Sequence, residues 1–112
     1  MNLLVSNDVR PMFSVLILNW NGANFLPRCL DSIQKQTFQD FEVLVLDNAS
    51  TDGSLAGAET RWPTFRFLRF KQNLGFAETN NRGAEMARGE WLAFLNNDTF
   101  PDPVWLMTID KS

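Results

Sequence analysis

The chain has 112 residues, 45% of them apolar and 21% charged, with a formal net charge of −3. That is one small domain, apolar enough to build a single core and too apolar for disorder. Histidine is absent and Cys29 is the one cysteine, which excludes a Ser-His-Asp triad, a histidine general base, an internal disulfide and a zinc knuckle, while the lack of a basic block leaves no footprint for nucleic acid.

Residues 1–12 read as a short polar lead-in closed by Pro11, without the basic start or long apolar run of a secretory signal. From Phe13 onward one pattern repeats four times: a short β-like run, a polar break, then a helix-like stretch. Phe13–Leu18 is the first run, nearly continuous in apolar residues, as expected of a strand buried on both faces. Asn19-Trp20-Asn21-Gly22 breaks it, and Leu26, Leu30 and Ile33 then mark one face of a helix that tolerates Pro27 in its first turn. Phe41–Leu46 is the second run, stopped at Asp47-Asn48, and a helix is expected over Ser54–Arg61. Phe65–Phe70 alternates Phe and Arg, which suits a strand nearer the sheet edge. After Asn73-Leu74-Gly75, the residues Phe76, Asn80, Gly83, Ala84 and Ala87 fall on one helical face, with Gly89 as the expected stop. Trp91–Leu95 is the fourth run, ended by Asn96-Asn97-Asp98, and a short last helix is expected over Pro101–Ile109. Strands alternating with helices through short connections predict an α/β fold: an open, mainly parallel sheet with flanking helices.

The polar residues fall where such a sheet binds ligands, outside the carboxyl ends of its strands. Asn19, Trp20 and Asn21 follow the first strand, Asp47 and Asn48 the second, Asn73 the third, and Asn96, Asn97 and Asp98 the fourth. Topology predicts that all four groups meet at one edge. Asn and Asp also cap helices and shape turns after strands, so any one of them alone defines no site. Cys29 falls beside Leu30 on the first helix and reads as a packed free thiol of a reducing compartment. Arg66 and Arg69 read as solvated strand charges, and Asp52 as a cap for the helix after it.

Several stretches in order resemble one family. They are Ser14–Gly22, Cys29–Phe38, Phe41–Ser54, Asn73–Ala77, Asn81–Gly83, Ala87–Trp91 and Leu95–Thr99. Together they resemble the nucleotide-sugar-binding half of a family 2 glycosyltransferase with the GT-A fold, over Phe13–Leu106. The Asp-Asn-Ala-Ser and Asn-Asn-Asp-Thr variants look most like the rhamnosyltransferase-like branch of bacterial surface-polysaccharide enzymes. The resemblance implies metal-dependent, inverting transfer of a sugar from a nucleoside diphosphate sugar to a saccharide or lipid-linked acceptor. It implies a divalent cation, Mg²⁺ or Mn²⁺, held at Asp98, where the family carries its Asp-X-Asp-type motif. It assigns nucleotide contacts to Asn19, Trp20, Asn21, Asp47, Asn48, Asn73, Gly75, Asn81 and Asn97. Trp20 matches the aromatic residue that stacks on the base, and Asp47-Asn48 matches an Asp-Asp pair that reads the base edge. Asn97 stands where relatives often carry an aspartate near the ribose, and Asn80 where many carry arginine.

Relatives in this family are usually more than twice as long, and the resemblance places the acceptor site and the general base in their second half. Residues 13–112 are therefore expected to be the donor-binding subdomain of a truncated transferase, weakly active or inactive alone and with no catalytic base of its own. The alternative is a nucleotide-binding or self-associating fragment without catalysis. An open sheet edge is expected to favour a homodimer. The implied location is the cytoplasm, peripheral on the inner face of the membrane in the full-length protein. A dinucleotide-binding oxidoreductase would need Gly-x-Gly-x-x-Gly after the first strand, where Asn19-Trp20-Asn21-Gly22 stands. A nucleotidyltransferase would need a glycine-rich phosphate loop there, and a phosphate-accepting receiver domain an acidic pair.

Overall fold

Four parallel strands, all hydrogen-bonded in the order β3-β2-β1-β4, form the frame of the described residues. A computed structural model describes residues 10–110. The elements are β1 (Phe13–Asn19), α1 (Leu26–Gln34), β2 (Phe41–Asp47), α2 (Ala58–Arg61), β3 (Arg66–Arg69), α3 (Phe76–Met86), β4 (Trp91–Asn96) and α4 (Trp105–Asp110). Residues 1–9 of the expected lead-in lie outside the described residues. Pro11 and Met12 already run beside the sheet, their carbonyls accepting the Glu90 and Trp91 N–H groups at 3.1 and 2.9 Å.

The continuous apolar runs are the central strands, as their composition predicts. Alternate residues serve opposite faces. Val15, Ile17, Val43 and Val45 join Leu26, Cys29, Leu30 and Ile33 of α1, with Trp62 and Leu106, in one core. Leu16, Leu44 and Leu46 form a smaller core on the other face. There α3 lies close, because Gly83 has no side chain: a Cβ there would overlap Leu46 and come within 2.9 Å of Leu16 Cδ2. The Phe/Arg alternation of β3 does mark an edge strand, and β4 is the other edge.

Four expectations change. The last helix, expected over Pro101–Ile109, starts later and spans Trp105–Asp110. The helix expected over Ser54–Arg61 shrinks to Ala58–Arg61, because Gly57 takes φ 71°, outside helical space, and residues 54–57 form turns. On α3 the buried residues are Thr79 and Gly83, while Phe76 is 65% exposed. The close approach at Gly83 sets the inward direction of this helix, and Phe76 falls outside it. Gly89 does not stop α3, which ends at Met86 with Ala87 already extended. Gly89 instead packs on β1, where a Cβ would meet the Ser14 nitrogen at 2.5 Å.

Candidate functional site at the carboxyl edge of the sheet

The register of β1 and β2 places Asn19 directly beside Asp47 at the ends of their strands. Both are buried, as is Asn48. Buried polar groups need partners, and these have them. Asn19 Nδ2 donates to Asp47 Oδ1 and to Ser54 Oγ, each at 2.9 Å. Asn97 Nδ2, from the turn after β4, donates to Asn19 Oδ1 at 2.8 Å. Ser50 Oγ donates to Asp47 Oδ1 at 2.7 Å, and its own N–H to Asp47 Oδ2 at 3.1 Å. Three strand ends are thus joined through side chains: of the four groups expected to meet at this edge, those after β1, β2 and β4 share one network, and Asn73 after β3 stays outside it.

The neighbouring loops are tied to the same frame. Asn21, at φ 49°, donates its N–H to Ser50 Oγ and accepts the Thr51 N–H on Oδ1. Asn48 Oδ1 accepts the Leu74 N–H at 2.8 Å, and Asn73 Oδ1 the Gly75 N–H at 2.8 Å. Gly75 takes φ 85° as the chain enters α3, a conformation costly to residues with a Cβ. Trp20 is 54% exposed beside these loops and is not a core residue. Asn81 is exposed on α3 and makes no hydrogen bond to the network.

Asp98 is exposed in the turn after β4, and its carboxylate accepts no hydrogen bond from a described residue. Its charge is felt by Cys29, whose thiol is pushed up to about 12, first by burial and then by Asp98. Cys29 therefore stays a neutral, packed thiol, as its place on α1 predicts. Asp52 does not cap a helix. Its carboxylate accepts the Ala23 N–H at 3.0 Å and the Ser54 N–H at 2.9 Å, binding the loop after β2 to the loop after β1. Those bonds, the one from Ala23 first, hold its carboxyl below the usual range.

A cleft of about 550 Å³ opens beside Asp47, lined also by Ser50, Gly53, Ser54, Arg69 and Lys71. A second, of about 300 Å³, lies between Leu18, Phe76, Asn80, Phe94, Asn96 and Thr99. Reasoning from sequence alone misses Ser50, Ser54, Arg69 and Lys71 at this edge. Arg69 is no isolated surface charge: it pairs with Glu59, and Arg66 pairs with Glu42 at 3.1 Å. The Ser50 and Ser54 hydroxyls were legible only as members of a turn-forming run.

The donor set accommodates a small, hard cation in one way. Among the described residues no group of three acidic, His or Cys side chains stands together. Mg²⁺ and Mn²⁺ take oxygen ligands, and Mg²⁺ sites commonly combine one or two carboxylates with substrate phosphates and water. The uncommitted Asp98 carboxylate could supply one such ligand.

The family model for glycosyl transferase family 2 matches residues 14–109. A PGL/p-HBAD biosynthesis glycosyltransferase of Mycobacterium bovis (strain BCG / Pasteur 1173P2) is 41% identical over 91 residues, covering 79% of this chain and 36% of that protein. The putative glycosyltransferase EpsH of Bacillus subtilis (strain 168) is 32% identical over 95 residues, 83% of this chain and 28% of its own length. Among solved structures, S. aureus TarS 1-349 in complex with UDP superposes with a TM-score of 0.82 at 27% identity, covering 88% of this chain and 31% of that one. A mannosyltransferase from Pyrobaculum calidifontis, in complex with GDP-Man and Mn²⁺, has a TM-score of 0.75 at 28% identity, over 85% of this chain and 30% of that one. The chain thus spans about a third of the length of these relatives. With a family match across nearly its whole length and a parallel sheet in the same arrangement, the chain belongs to glycosyl transferase family 2.

Proposed function

We propose that this chain is the donor-binding part of a sugar transferase, holding a nucleoside diphosphate sugar at the carboxyl edge of its sheet. The observation that carries this reading is the joining of half-buried Asn97 to the buried Asn19 and Asp47 in one network, with exposed Trp20 and Asp98 beside it. Trp20 stacks on the base, a contact worth about 1–3 kcal/mol in single-stranded nucleic-acid binders. Asp47 faces the base, Asn48 shapes the loop beside it through Leu74 and Gly75, and Asn73, Gly75 and Asn81 flank the nucleotide along α3. Asn21 shapes the loop beneath it. Asn97 keeps its amide carbonyl for a ribose hydroxyl. Asp98 is the residue that would hold Mg²⁺ or Mn²⁺, and such a cation would supply countercharge to a departing diphosphate. Structural neighbours bound to UDP-GlcNAc and to GDP-Man with Mn²⁺ support this assignment.

In the complete enzyme the sugar passes with inversion to a saccharide or lipid-linked acceptor, and the reaction belongs to the cytoplasmic side of a membrane. No helix among the described residues is long and apolar enough to cross one. The narrower rhamnosyltransferase-like assignment rests on the Asn48 and Asn97 variants. A second copy of the chain pairs along β4, whose Trp91, Leu92 and Phe94 are exposed at the sheet edge.

Calorimetric titration with UDP, dTDP and GDP, each with Mn²⁺ and again with chelator, tests the donor site. Saturable binding to one nucleotide, lost with chelator, is expected. Failure of all three to bind overturns the reading of this chain as a donor-binding part.

A further inference from the structure

We infer that Asn19 and Asn97 are a matched pair whose hydrogen-bond direction is fixed by Asp47, making Asn97 a positioning residue that holds the Asp98 turn against the β1 and β2 ends. Asp47 sets the direction: its Oδ1 accepts the Ser50 hydroxyl and its Oδ2 the Ser50 N–H, so both oxygens act as acceptors. Asn19 must therefore turn its NH₂ toward Asp47, where Nδ2 is 2.9 Å from Oδ1. The same NH₂ also faces Ser54 Oγ at 2.9 Å and Ser50 Oγ at 3.3 Å. The Asn19 carbonyl is thereby turned to the residue after β4, and a carbonyl requires a donor. Asn97 Nδ2 is that donor, at 2.8 Å.

A second observation supports the pair independently. A Cβ at Gly22 would overlap both Asn97 Nδ2 and Asn19 Oδ1. The two amides are thus packed onto bare backbone, which fixes their place as well as their direction. An amide is required at position 97 for this reason: a carboxylate there would set charge against the Asn19 carbonyl. Only the link from the Asp98 turn to nucleotide binding rests on the proposed function. The pair itself does not.

A carboxylate at 97 has no N–H to offer the Asn19 carbonyl and adds a negative charge beside Asp98.

The test compares Asn97→Asp and Asn97→Ala with the natural chain at pH 7.5. Thermal midpoints are read without nucleotide, and affinities with Mn²⁺ and UDP, dTDP or GDP. Asn97→Asp is expected to melt about 5 °C or more below the natural chain and to bind nucleotide about tenfold more weakly. Asn97→Ala, which loses the donor without adding a charge, should melt between the two. In the natural chain, NMR should find the Asn97 side-chain amide protons slow to exchange. Unchanged melting of Asn97→Asp, or fast-exchanging Asn97 amide protons, overturns the pair. If the pair holds in melting and exchange while no nucleotide binds the natural chain, the link to Asp98 positioning fails with the proposed function.

Discussion

The side-chain carbonyl of Asn48 accepts the backbone N–H of Leu74 at 2.8 Å, joining the end of β2 to the entry of α3. Asn48 Nδ2 also approaches the Gly75 carbonyl at 3.5 Å. One buried amide thereby shapes the loop that flanks the proposed nucleotide. Asn48→Ala leaves the Leu74 N–H without its partner, which costs about 1–3 kcal/mol. Chemical denaturation should show that loss with an unchanged slope, and nucleotide affinity should fall with it. Natural stability in the Asn48→Ala chain would contradict this role.

At the opposite end of the sheet, acid should loosen the chain through Glu42. Burial pushes the Glu42 carboxyl up, but hydrogen bonds from Ser14 Oγ, the Arg88 N–H and Arg66 outweigh it and hold the carboxyl below its usual value. The Ser14 and Arg88 bonds are both 2.6 Å. A carboxyl lowered in the folded state stabilises the fold above its unfolded pKa, near 4.3. That contribution is lost as pH falls through the lower, folded value. Glu42→Gln should destabilise the chain by about 1–2 kcal/mol at pH 7 and flatten the decline in melting temperature below about pH 4.3. An equally steep acid decline in the variant would show that Glu42 is not its source.

Trp20 separates binding from stability. Being 54% exposed, it contributes little to the core. Trp20→Ala should leave the melting temperature nearly unchanged and cost about 1–3 kcal/mol of nucleotide binding if the ring stacks on the base. Melting lowered by many degrees with affinity intact would place the ring in the fold instead.

The β4 edge predicts self-association. An exposed apolar edge strand offers unpaired backbone groups to a second chain, and a two-fold pair of such edges closes. Sedimentation should show a dimer that grows with concentration. Leu92→Lys, at a position 42% exposed, should shift it toward monomer without lowering stability. A monomer at every concentration would refute pairing through β4.

The parallel sheet and its polar edge were legible because both follow from simple patterns. Buried strands read as continuous apolar runs, and Phe65–Phe70 advertised an edge by alternation. Topology alone then brought Asn19, Asp47 and Asn97 together. What stayed hidden depends on direction and distance. Ser54 and Asn97 reach Asn19 from 35 and 78 positions away, and their bonding depends on which way one amide is turned. The burial of Thr79 in place of Phe76 follows from the close approach at Gly83, which periodicity cannot rank. The role of Asp52 was misread because helix α2 starts later than propensity suggests, at Ala58.

The most direct test of the donor-site assignment is NMR of the chain with substoichiometric Mn²⁺ and whichever of UDP, dTDP or GDP binds. Paramagnetic broadening should centre on Asn97 and Asp98, extend to Asn19 and Asp47, and vanish from that edge in Asp98→Ala. Broadening centred on another part of the sheet, or unchanged in Asp98→Ala, would contradict the account.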